Sequence, residues 1–415
     1  ALAYFYRGFY SGGDYKESRE NMSKAADLID KVSEGEKHLI LFGMAVADND
    51  GTKQKSELNE LLKLFPKDKR VQISAGAYYQ YFNQNYKKSL EYYNNAVNID
   101  PNYAESYNML GYLNIKMNNY ADAEKAFKKY ISLLPNEANP YDSYAEFLLQ
   151  RGKYHESITN YEKVYNIDPT FVSALSGIGN NYIFMGEFDK AREYYEKYYT
   201  NASSTYAKMN ALFLKATSYL YEEKMENALV VFEERVSFAK VSESPITAIY
   251  SYKNAAFALD VAGQYDRATE YYKKAEDLIM EAEIEEADRI TAQVNLDLFL
   301  CYHKIMTGKL EEAKNGMVNC GQIIDVRGNV GEKKLHNLGL GIMASANENY
   351  QQALEYFKDA DRENPFTWYQ EAITLQKIEK KDEAKKLFNK IVSCNKNQIG
   401  LAVVRNRAVE NLASL

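Results

Sequence analysis

The chain has 415 residues, 46% of them hydrophobic and 26% charged, with a formal net charge of -7. This composition excludes a disordered tail, and the length exceeds what one compact core accommodates unless the core grows along one direction. Gly (21) and Pro (7) are sparse, which favours helix, and acidic and basic residues interleave without the basic stripe of a nucleic-acid binder.

In chain order, "ALAYFYRGFY" reads as the first helix of a pair, and "GDYKESRENMSKA" as the second, with Tyr15, Ser18, Met22 and Ala25 on one face. Residues 1–35 are therefore one unit that starts at or near a repeat boundary, so a further unit, a cleaved targeting segment or a whole domain upstream is an expectation. Residues 36–69 form a degenerate unit in which Lys55 or Ser56 takes the small position of the second helix. Its apolar run "HLILFGMAVA", His38 to Ala47, is about half the length of a membrane span and reads as a buried helix.

From 70 to 205 the pattern becomes periodic. Pro101, Pro135 and Pro169 are 34 residues apart, and so are Ser89, Ala123, Ser157 and Ala191. A fixed period of this length means a stacked array. In "YNMLGYLNIKMNNYADAEKAFKKYISLLP", Tyr107, Leu110, Gly111 and Asn114 share a face of a first helix, and Asn118 to Tyr120 make the turn. Ala123, Phe127 and Tyr130 then recur on a second helix. Gly111 and Ala123 are small because the two helices approach closely there, with Phe127 filling the space beside them. Pro135 cannot sit inside a helix and marks where the second one stops.

These residues resemble the tetratricopeptide repeat (TPR) signature of a bulky residue, Leu-Gly, Tyr, then Ala, an aromatic and Pro. Tyr141, Tyr144, Ala145, Ser157, Tyr161 and Pro169 repeat it, followed by Leu175, Ile178, Gly179, Tyr182, Ala191 and Tyr195. The resemblance implies an all-α, right-handed solenoid of helix-turn-helix hairpins.

Beyond 205 the small residues Ala228, Ala268, Ala313, Ala353 and Ala384 continue at uneven intervals, all but the last wider than 34 residues. This gives elongated repeats over 206–330, two further repeats over 331–396, and about eleven repeats in all. Residues 397–415 read as a last helix capping the array, which open solenoids need for solubility.

In the TPR family the first helices line a concave surface that binds protein partners. The resemblance maps that surface onto Tyr78, Tyr81, Phe82, Asn108, Tyr112, Lys116, Asp142, Glu146, Ser176, Asn180 and Phe184. Aromatic rings offer area and Asn can pair with peptide groups, so a protein or peptide partner in the groove is the expectation. A carboxylate clamp is not expected, because Phe257 stands one turn after Lys253 where an Asn is required.

The tyrosine pairs 92–93, 194–195 and 271–272 read as core packing, the second of each holding the Phe127 position. Asp142 and Glu146 share one helix face, poor grounds for a two-carboxylate hydrolase. "GIGNN" (177–181) lies inside a helix, and "GNVGEKK" (328–334) lacks phosphate-loop spacing and reads as a loop between helices. Cys301 and Cys320 are expected to be two packed thiols of one repeat, and the scattered histidines offer no metal-ligand spacing. The acidic run 281–289 is expected to prolong a helix into solvent.

No catalytic residue, metal, cofactor, nucleic-acid partner or membrane span is expected, and the compartment, cytoplasmic or periplasmic/secreted, stays open. The function implied is a non-catalytic scaffold. The alternative is the sensor half of a larger protein with an enzymatic or DNA-binding output domain upstream.

Overall fold

A computed structural model describes residues 1–9, 15–48 and 50–415, with the backbone alone for 9 and 15–19. The expectations placed on Tyr15 and Ser18 therefore lie outside the described side chains. Contacts divide the chain into two units, Ala1–Phe147 and Leu148–Leu415. Among the described residues there is no strand, and successive helices pack in pairs.

The first unit holds α1 (Leu2–Phe9), α2 (Tyr15–Ala26), α3 (Glu34–Ala47), α4 (Gly51–Leu64), α5 (Lys69–Tyr81), α6 (Tyr86–Ile99), α7 (Ala104–Lys116) and α8 (Tyr120–Leu133). It also holds most of α9 (Ala138–Gln150). In the α5/α6 and α7/α8 pairs a glycine lets a ring of the partner helix press against the backbone. A Cβ on Gly111 would come within 2.5 Å of the Phe127 ring, and one on Gly76 would collide with Tyr93. Phe127 and Tyr93 are accordingly 0% exposed. Met22 and Ala25 are buried as the periodicity requires.

The turn inside a pair needs one residue in the left-handed region, which an L side chain adopts only at a cost. Gly152 fills it between α9 and α10 (Tyr154–Ile167), whereas Gln84 and Asn118 fill it after α5 and α7.

The degenerate unit departs from its expected register. Lys55 and Ser56 are exposed, and the fully buried Gln54 holds the small position. Its Nε2 donates to the Ala45 carbonyl (3.0 Å), just as Ser89 Oγ donates to Gly76 O (2.8 Å) in the next pair. A polar side chain is tolerated there because the facing helix supplies the acceptor.

The second unit continues with α11 (Ser173–Met185), α12 (Phe188–Asn201), α13 (Thr205–Tyr221), α14 (Met225–Val241), α15 (Pro245–Val261) and α16 (Tyr265–Glu281). Then follow α17 (Glu286–Met306), α18 (Leu310–Arg327), α19 (Val330–Ala346), α20 (Tyr350–Asp359), α21 (Pro365–Lys377) and α22 (Lys381–Val392). Two short helices, α23 (Ile399–Ala402) and α24 (Arg405–Ser414), end the chain. Ala228, Ala268, Ala313, Ala353 and Ala384 are all 0% exposed, so the alanine series marks helix crossings and not surface. One continuous core runs from Leu149 to Ala408.

Two local readings are corrected. The acidic run 281–289 does not prolong a helix: α16 stops at Glu281 and α17 starts at Glu286. Arg289 turns back to cap α16, donating to the carbonyls of Ile279 and Ala282, while Glu286 and Asp288 sit in the first turn of α17, where the helix dipole favours them. "GNVGEKK" is mostly helix. Gly328 ends α18 in the left-handed region and Asn329 caps α19, its Oδ1 accepting from Glu332 N at 3.0 Å.

Residues 397–415 do more than cap an end. α24 packs on α22, but α23 packs on both α21 and α13, almost two hundred residues earlier in the chain. Leu401, Ala402, Val404 and Ala408 are buried there.

Candidate partner-binding grooves

In the first unit α5, α7 and α9 supply the predicted face. Tyr81 (56%) and Phe82 (38%) are exposed at the end of α5, beside a cavity of about 400 Å³. Its other walls include Phe5 and Tyr6 of α1, Phe42 of α3 and Tyr78. Tyr78 is a wall and not a free side chain. It is 7% exposed, stacks on Phe82 (centroids 6.2 Å apart) and points its hydroxyl at Gly51 O (3.4 Å).

The neighbouring helices give this surface an acidic floor. Tyr112 donates to Glu146 Oε2 at 2.9 Å, and burial, with Glu146 beside it, pushes the phenol well above its ordinary pKa. Burial and the charge of Glu146 also raise the Asp142 carboxyl to about 7. Asn108 is half-buried and its Oδ1 has no hydrogen-bond partner. Lys116 is exposed at the end of α7. Burial raises the Tyr81 phenol, and the charges of Lys116 and Glu146 also reach it, so residues from all three helices converge.

The second unit treats its share of the face differently. Ser176 turns its hydroxyl to Ser173 O on its own helix (2.7 Å). Asn180 Oδ1 accepts from Tyr195 OH and from Asn397 Nδ2, both at 2.8 Å. Tyr154 OH donates to Asn395 Oδ1 (3.0 Å), and Asn406 Nδ2 donates to Tyr221 O (3.2 Å). The Arg405 guanidinium lies 5.0 Å from the Phe184 ring centroid, and Phe184 is buried. Asn180 and Phe184 are therefore not open: the chain's own segment 395–406 lies on them. Hydrophobic periodicity carries no trace of a contact between residues 217 positions apart. The one available signal was the amide cluster "NKNQ" (395–398) placed just before an apolar run.

Sequence reading also missed a buried network between α15, α16 and α17. Asp260 is 0% exposed, accepts from Tyr272 OH (2.9 Å) and lies 2.6 Å from His303 Nδ1. His303 Nε2 is 3.1 Å from Thr269 Oγ1. The spacing imitates a hydroxyl–imidazole–carboxylate relay. However, Thr269 Oγ1 also lies 3.0 Å from Tyr265 O of its own helix, so its single proton has a second acceptor besides His303. The network ties three helices together.

Tyr93, Tyr195 and Tyr272 are core, as the paired tyrosines implied, and Cys301 and Cys320 are free, buried and in mutual contact. Among the described residues no cluster is placed to hold a metal ion, and no helix is long and apolar enough to cross a membrane.

Models of the tetratricopeptide repeat match residues 92–125, 138–171 and 172–205. The chain contains tetratricopeptide repeats over these residues. Outside those matches the same pairing of small residue and ring continues in the TPR manner, as where a Cβ on Gly341 would collide with Phe357. No curated protein matches the chain.

Among solved structures it is similar to a TPR protein from Parabacteroides merdae ATCC 43184, at 20% identity over 57% of this chain and 92% of that one (TM-score 0.41). It is also similar to PilW, a type IV pilus biogenesis factor, at 17% identity over 49% and 93% (TM-score 0.42). A third is YrrB, described as a TPR protein with an unusual peptide-binding site, at 15% identity over 44% and 91% (TM-score 0.32). TPR proteins are in general protein–protein interaction scaffolds.

Proposed function

We propose that this protein is a non-catalytic scaffold whose first unit receives an extended peptide of a partner protein across α5, α7 and α9. The observation that carries the reading is the exposed pair Tyr81 and Phe82 beside a cavity of about 400 Å³. Large rings left in water next to an apolar hollow are the usual anchor points of an interface. Glu146, the unpartnered Asn108 Oδ1 and Asp142 when ionised offer acceptors, so the peptide carries an apolar or aromatic side chain for the cavity and a Lys, Arg or backbone N–H donors beside it.

The second unit supports the reading by analogy within one molecule. There a similar face is covered by residues 395–406, non-helical at 395–398 and largely helical beyond, through Asn, Tyr and Arg contacts.

The test is a peptide array probed with the purified chain, followed by titration of the best binder. Sequences pairing an aromatic with Lys or Arg are expected to be enriched. Replacing both rings, Tyr81→Ser with Phe82→Ser, lowers affinity at least about tenfold, roughly 1.4 kcal/mol, with helix content unchanged because both are exposed. Enrichment of acidic peptides, or equal affinity in the double variant, rejects the groove.

A further inference from the structure

In the second unit, α13, α14 and α15 enclose a cavity of about 260 Å³ lined by Asn210, Phe213, Arg235, Tyr250, Lys253 and Asn254. Its two cations lack acidic partners. Arg235 Nε donates to Met209 O (2.9 Å) and Nη1 to Ser251 Oγ (2.6 Å), with the guanidinium 5.4 Å from the Phe213 centroid. Lys253 Nζ donates to Asn295 Oδ1 (2.8 Å) and faces the rings of Phe299 (4.4 Å) and Tyr250 (4.9 Å). Arg235 Nη2 and two of the three ammonium protons of Lys253 have no protein acceptor.

Two other sheltered arginines are paired with carboxylates, whereas Arg405 rests on the carbonyls of Cys394 and Val392 and on the Phe184 ring. Arg192, 10% exposed, is held by Asp189 (2.5 Å) and Glu222 (2.8 Å), and Arg327 by Glu332 (2.9 Å). Acidic residues are plentiful, 58 against 51 basic, so carboxylates were available to the fold. A sheltered charge without a counter-charge is costly, and two in one cavity compound the cost. Burial alone lowers Lys253 to about 8, and burial lowers Arg235 to about 10.

We infer that this cavity binds a small organic carboxylate, its charged end between Arg235 and Lys253 and its apolar body between Phe213 and Tyr250. Asn210 and Asn254 face the same space and can read a polar substituent. Aromatic walls suit a planar monoanion with an apolar body better than a strongly hydrated phosphate, and no glycine is part of the lining.

The groups around Lys253 from the packed helices are Tyr206 of α13, Arg235 of α14 and Asn295 of α17. Tyr250 on its own helix stands next to it, and burial, with the charges of Asp288 of α17 and Glu332 of α19, raises its phenol.

The experiment is titration calorimetry of the full chain with benzoate, benzamide and inorganic phosphate at pH 7 and pH 9. Saturable binding of benzoate and none of benzamide is expected. The wild-type affinity for benzoate falls about tenfold from pH 7 to pH 9, as Lys253 loses its proton near 8. Lys253→Gln weakens binding about tenfold at pH 7 and removes the pH dependence. Absent benzoate binding, equal binding of benzamide, tighter binding of phosphate, or undiminished binding by a folded Lys253→Gln chain each overturns the assignment. The wild-type pH comparison stands even where a variant misfolds.

Discussion

The predicted binding face is open in the first unit and covered in the second. Around Tyr81 and Phe82 the rings meet a hollow of about 400 Å³, whereas Asn180 and Phe184 meet Asn397 and Arg405 of the same chain. Both surfaces are made alike, from aromatic and amide side chains on first helices. What differs is whether later sequence returns to cover them. The comparison teaches that surface composition defines what such a face can hold, and that tertiary connectivity decides whether it is vacant.

The most forceful way to break this comparison is to remove the covering segment. A chain ending at Ser393 loses Leu401, Ala402, Val404 and Ala408 from the core, and a stability loss of about 3–6 kcal/mol is expected in urea unfolding. Hydrogen exchange should rise along 176–184 and 206–221, and a synthetic 394–415 peptide added in trans should restore protection. Unaltered exchange in the truncated chain would show that the segment merely rests on the surface.

A smaller effect separates the acidic floor of the first unit from the neutral contacts of the second. Because the folded Asp142 carboxyl titrates near 7 and an unfolded one near 3.8, the folded state binds the extra proton between those values. Stability therefore falls as pH rises from about 4 to about 7 and is flat above. Asp142→Asn should abolish that slope and stabilise the first unit at pH 8 by about 1–2 kcal/mol, allowing for solvent access. Thermal unfolding of both chains across pH 4–8 checks it, and parallel curves would refute it.

The smallest effect tests whether the two units share one building block. Gln84 in the first unit and Glu348 in the second both hold the left-handed turn position, at φ 54° and 62°. Gln84→Gly and Glu348→Gly should each raise stability by about 0.5–1 kcal/mol in chemical denaturation, and unequal signs would mean that the two turns are not equivalent.

Much of the fold was legible because the determining contacts are local. Gly111 and Phe127 are 16 residues apart, inside one hairpin, so small-against-large spacing reports their contact directly. Gln54 escaped the same reading because the position is defined by closeness and not by polarity, and a Gln can satisfy it by bonding Ala45 O. The breaks at 281–289 and 328–334 turn on capping by Arg289 and Asn329, single side chains that leave no periodic trace. Of the candidate face, Tyr81 and Phe82 were readable as exposed rings at a repeat position. The burial of Tyr78 was not, because its cover includes Phe42 of α3 and Leu58 and Leu61 of α4.

By itself the sequence determined the repeating hairpin: alanine and glycine set where helices cross, a ring fills the space beside them, and a left-handed residue closes each turn. These are interactions between neighbours in the chain. Only the tertiary structure decided that 395–406 lies on α11 and α13, and that Arg235 and Lys253 share a cavity without a carboxylate between them. Such contacts depend on the accumulated geometry of several stacked hairpins, and no short-range pattern encodes that sum.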